Sequence, residues 1–125
     1  MADLKRPVQA LLMSSSDDQW AAILSENKKI TIREGRRDYV NGLVIIANTE
    51  TGYCVKADIT DVKHYLAREV PKKDFRDDGY SSGEQMIDDL KTFYPKINAD
   101  SSVTVIRWNN VGGRMVDDYR AVSSS

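Results

Sequence analysis

Apolar positions recur along the chain at two spacings, and these divide it into short strands and two amphipathic helices. Residues 8–13 hold an apolar run of strand length. Ser16-Asp17-Asp18-Gln19 reads as a capping box, with Ser16 and Gln19 each serving free backbone N–H groups at a helix start. Trp20, Ile23 and Leu24 follow at i, i+3 and i+4, so the spacing predicts a helix over 17–25 with one apolar face against a sheet. Residues 28–33 read as a strand in which Ile30 and Ile32 enter the core while Lys29, Thr31 and Arg33 face the other way. Asn41-Gly42, between 38–40 and 43–47, is a hairpin signal. The unbroken apolar run at 43–46 predicts a strand buried on both faces. After a turn at 49–52, Tyr53, Val55, Ala57 and Ile59 alternate with Cys54, Lys56 and Asp58 as a further strand.

The second half is more polar. Val70-Pro71 opens a segment over 72–78, read as one helical turn anchored by Phe75. Ser81 and Glu84 form a second capping-box pattern before Met86, Ile87, Leu90, Phe93 and Tyr94, a helical core stripe over 84–94 that Pro95 ends. Residues 103–108, rich in β-branched side chains, predict a closing strand, broken at Gly112-Gly113. The ends near 1–6 and 112–125 are expected to be loose. Short strands joined by tight turns, with two capped helices beside them, indicate a mixed α+β fold with a small barrel of about five to six strands. No internal repeat and no shift in composition appears, so 1–125 reads as a single domain.

Composition narrows the chemistry. A chain of 125 residues, 41% hydrophobic, suffices for one core. Lys and Arg number 18 against 19 Asp and Glu, a balance that argues against a bulk nucleic-acid coat but permits a basic cleft. The lone cysteine, Cys54, forms no internal disulfide and reads as a small buried thiol; the lone histidine, His64, reads as a surface or packing residue. With no paired His or carboxylate motif, neither a metal nor another cofactor is expected. No stretch has the length and apolarity of a membrane span, and a cytoplasmic protein is the default. Lys28, Lys29, Arg33, Arg36 and Arg37 concentrate positive charge around Thr31. Taken alone, that strand is most simply a half-buried strand with a solvated charged face.

Residues 23–33, Ile-Leu-Ser-Glu-Asn-Lys-Lys-Ile-Thr-Ile-Arg, resemble the signature of ASCH domains, which have a PUA-like β-barrel. That signature is a glycine, one residue, a lysine, four residues and an arginine. Lys28, Thr31 and Arg33 match it, as do Ile30 and Ile32; Glu26 stands in place of the glycine and Lys29 in place of a usual threonine. The turn must therefore be built differently, with Asn27 the expected left-handed residue. Gly52-Tyr53 resembles a second family feature. The nearest enzymes by resemblance are small bacterial amidohydrolases that remove acetyl from N(4)-acetylcytidine. A partly enclosed lysine beside a threonine points to Thr31 as nucleophile and Lys28 as its activator. The resemblance implies an N(4)-acylated cytosine as ligand and Asp78 in place of a family glutamate. Lys29 and Arg33 would bind substrate, a modified nucleoside or RNA, with no metal or cofactor. Strict alternation would put Lys28 opposite Thr31, so a shared site needs the turn at 27–28 to bring Lys28 round. The competing readings are a non-catalytic RNA-binding module, an ASCH ribonuclease, and a protein-interaction domain that kept the barrel and lost the site.

Overall fold

The structure, a computed structural model, describes residues 8–112. In chain order the elements are β1 (Ala10–Met13), α1 (Asp17–Leu24), β2 (Ile30–Glu34), β3 (Gly42–Asn48), β4 (Cys54–Leu66), a 3₁₀ turn (Ala67–Glu69), α2 (Lys72–Asp77), α3 (Gly83–Leu90) and β5 (Ser102–Gly112). The strands form one five-stranded sheet in the order β1-β3-β4-β5-β2. β1 joins β3 in parallel and every other pairing is antiparallel. The sheet curls into a half-barrel. Its two edge strands are tied across the gap by Arg33 of β2, whose Nη2 donates to the Leu12 carbonyl of β1 at 3.0 Å.

β5 shows how the apolar pattern builds two cores. Val103 and Val105 on one face join Ile30, Ile32, Met86, Leu90 and Ile97. Ile106 and Trp108, on the other, join Leu11, Met13, Trp20, Ile23, Val44 and Ile46. The alternation is the period-two rule of a strand covered on both sides.

Several elements differ from the sequence expectations. Residues 38–40 are not a strand, and Asn41-Gly42 is no hairpin. The Gln9 side chain accepts from Val40 N at 2.7 Å and donates to the Val40 carbonyl at 3.1 Å, and β3 takes β1 as its neighbour instead. β3 buries only Val44, Ile46 and Asn48; Leu43 is exposed, so the apolar run is not buried on both faces. In α1, Trp20 and Ile23 are buried but Leu24 is exposed. β4 runs on past Ile59 to Leu66 because bulges near Ala57 and Thr60 bend it while it changes its main partner from β3 to β5. His64 therefore lies within β4, half-buried, with Nδ1 3.1 Å from Thr104 Oγ1. Cys54 is exposed at the start of β4 rather than buried. The cap of α3 is Ser82, one residue later than expected, and Gln85 supplies the reciprocal acceptor to Ser81 N. α3 ends at Leu90, leaving Phe93 exposed. Of the ends expected to be loose, 1–6 and 112–125, Gly112 instead completes β5 and the rest lie outside the described residues.

Candidate active site

The turn after α1 sets the site. Lys28 N donates to the Ala22 carbonyl at 3.0 Å, and the residue in the left-handed region is Glu26, at φ 64°, rather than Asn27. Glu26 thus takes the backbone conformation for which a glycine would be favoured, at a steric cost to its Cβ. Its carboxylate accepts from Val111 N at 3.2 Å, which fastens the turn to β5. Regular strand geometry begins only at Ile30. Alternation therefore does not govern Lys28, and its side chain lines the same cleft as Thr31. Lys29 is not brought there: it is exposed, and its carbonyl accepts from Trp108 N at 3.0 Å.

The cleft, about 620 Å³, opens between the edge strands and beneath the α2–α3 connection. Its polar lining includes Lys28, Thr31, Arg33, Asp78, Tyr80 and Asp89. Asp78 arrives by a defined local motif. It caps α2; Gly79, at φ 94°, donates to the Arg76 carbonyl at 2.9 Å, and Tyr80 N donates to the Phe75 carbonyl at 2.9 Å. These two bonds make a Schellman ending, which needs a residue that tolerates positive φ just past the helix. The chain reversal aims the Asp78 carboxylate at Lys28, and the two form a hydrogen-bonded ion pair.

The Asp78 side chain is only 8% exposed, against 29% for Lys28. Burial raises the Asp78 pKa above its ordinary value and outweighs the opposing charge and hydrogen bond of Lys28; Asp89 nearby adds to the rise. Thr31 is buried, and its Oγ1 accepts from Arg33 Nε at 3.3 Å. On the far wall the Tyr80 hydroxyl donates to Asp89 Oδ2 at 2.6 Å. Burial first, and that bond second, push the Tyr80 phenol far up, so it stays protonated. Sequence patterning missed Tyr80 and Asp89. Asp89 lies on the polar face of α3 and looks like a solvated charge until α3 is placed over the cleft.

Of the residues singled out in the sequence, the cleft thus gathers Lys28, Thr31, Arg33 and Asp78. Cys54 and His64 do not line it. Among the described residues, no group of three or more His, Cys, Asp or Glu side chains converges as metal ligands.

No family model and no curated protein matches the sequence. Solved structures do match. An ASCH domain from Lactobacillus crispatus aligns with TM-score 0.59 at 11% identity, over 81% of this chain and 79% of that one. A protein of family DUF984 from Enterococcus faecalis aligns with TM-score 0.58 at 10% identity, over 92% of this chain and 88% of that one. The chain has the ASCH-domain fold, a mixed α+β architecture consistent with a small PUA-like barrel.

Proposed function

We propose that this ASCH-fold protein is an amidohydrolase that removes an acyl group from the N(4) amide of a modified cytidine. The observation that carries the reading is the Lys28–Asp78 pair, with its buried carboxyl, in one cleft with the Thr31 hydroxyl. Asp78 holds and orients the Lys28 amine through their hydrogen bond, and the amine acts in its neutral form. Lys28 then accepts the Thr31 hydroxyl proton as Oγ1 bonds to the acyl carbon. The resulting ammonium faces the oxyanion, then gives its proton to N(4) as the carbon–nitrogen bond breaks. Water attacks the threonine ester, releasing the carboxylic acid and restoring the hydroxyl. Lys28 bonds to Asp78 and Thr31 to Arg33, so the proton transfer from Thr31 requires the flexible lysine stem to swing toward it.

Incubation with N(4)-acetylcytidine, followed by chromatography for cytidine, tests this reading. Lys28→Ala and Thr31→Ala are each expected to lower turnover at least about a hundredfold. Absence of cytidine at high wild-type concentration overturns it. A second reading, RNA binding without chemistry, is favoured by the exposed Lys29 and Arg36, both outside the cleft lining. In that case Lys29→Ala weakens RNA binding and flattens its salt dependence, while Thr31→Ala changes nothing. Fluorescence anisotropy on the same variants separates the two.

A further inference from the structure

α2 carries Asp78 yet has little of its own to hold it in place. It has six residues, none of them buried, and no side chain caps its N-terminus. A helix this short is not stable by propensity. Phe75 packs against one core cluster, and Asp74 and Asp77 both reach one arginine of the sheet. Arg107 Nη2 lies 2.6 Å from Asp74 Oδ1 and 2.9 Å from Asp77 Oδ2. The Arg107 side chain is 25% exposed and that of Asp74 13%, so the contact is partly shielded from water.

The root of that arginine is the telling feature. On β5, Arg107 registers with Ile30 of β2, and the next residue, Trp108, donates its N–H to the carbonyl of Lys29. The same piece of β5 therefore fixes the backbone beside Lys28 and grips the helix that ends at Asp78. Arg107 does not line the cleft.

We infer that Arg107 is a positioning residue: it clamps α2 through Asp74 and Asp77 and so sets the Lys28–Asp78 pair from outside the cleft. The consequence for catalysis rests on the amidohydrolase reading, whereas the clamp itself does not. An ångström-scale misplacement of an acid–base group lowers turnover steeply while leaving substrate contacts largely intact.

The test uses Arg107→Met, which keeps the stem and removes the charge, and Asp77→Asn, a milder break of one arm. Arg68→Met, which removes an exposed ion pair with Asp100, is the control. Two quantities are read: N(4)-acetylcytidine kinetics, and the titration of the Asp78 carboxyl by carbon NMR. Arg107→Met is expected to lower kcat by about tenfold or more with KM little changed. It should also move the Asp78 midpoint down toward the ordinary carboxylate value as the loosened helix lets in water. Asp77→Asn is expected to shift both in the same direction by less, and Arg68→Met to shift neither. If the wild type hydrolyses nothing, the functional reading fails, and the NMR titration still decides the clamp. An Asp78 midpoint unchanged in Arg107→Met, or in Asp77→Asn should the first variant not fold, overturns the inference.

Discussion

Asp78 is the residue at which burial and charge oppose each other, and its titration carries a definite sign. The folded protein holds the Asp78 proton more tightly than the unfolded chain does, because desolvation outweighs the pull of Lys28. Its protonated form therefore favours folding. That contribution is complete below the ordinary value of 3.8 and is lost as pH rises through the higher folded value. Asp78→Asn does not titrate there. The wild-type advantage in Tm over Asp78→Asn is thus expected to be largest in acid and to shrink toward neutral pH, as thermal denaturation across a pH series would show. Asp77 has the opposite sign. Its hydrogen bond from Lys73, and then that from Arg107, hold its carboxyl below the ordinary range. Asp77→Asn is accordingly expected to lose stability at neutral pH, with the loss fading as pH falls through the lowered folded value.

Local elements hold the cleft walls through a few backbone-directed side chains. Asn48, buried at the end of β3, accepts from Ser15 N at 3.2 Å and from Glu50 N at 3.0 Å, and donates to the Ser15 carbonyl at 3.1 Å. Ser15 is itself buried. Asn48→Ala leaves those groups without partners and is expected to cost about 2–3 kcal/mol in urea unfolding. The turn at Glu26 is a second such element. Glycine there relieves left-handed strain of roughly 1 kcal/mol but gives back a similar amount in chain entropy, and the bond to Val111 N is lost. Glu26→Gly is expected to stay within about 1 kcal/mol of wild type, whereas Glu26→Val, β-branched at positive φ, is expected to lose about 1–2 kcal/mol. Equal stability of the two variants would show that the turn relaxes out of the left-handed region.

At the scale of the whole molecule, the sheet is open and its two edges meet through a side chain. Arg33 reaches from β2 to the Leu12 carbonyl on β1 and bonds Thr31 on the way. One residue thus closes the half-barrel and orients the proposed nucleophile. Lysine has no second nitrogen with which to make both contacts in that fixed geometry. Arg33→Lys is therefore expected to lower turnover about tenfold or more and to speed amide hydrogen exchange in β1, with little change in the β4–β5 ladder. Wild-type exchange in β1 would place the closure elsewhere.

What the sequence determined by itself was whatever neighbouring residues decide among themselves. Ser16 and Gln19 cap α1 as a box, Ile30 and Ile32 enter a core, and the β-branched run at 103–108 lies in a strand. Each follows from periodicity or from groups within about one turn of each other. Asp77-Asp78-Gly79 likewise carries the local signal of a helix end. Tertiary structure decided the rest. Nothing local makes β1 rather than 38–40 the partner of β3, because strand pairing is chosen by a sheet assembled from distant segments. The meeting of Lys28 with Asp78 joins residues 50 apart in sequence. It depends on a left-handed Glu26, on a Schellman turn, and on the seating of α2 against β5. Tyr80 and Asp89 had no local signature, since a carboxylate on a polar helix face becomes a cleft wall only when the sheet curls beneath it.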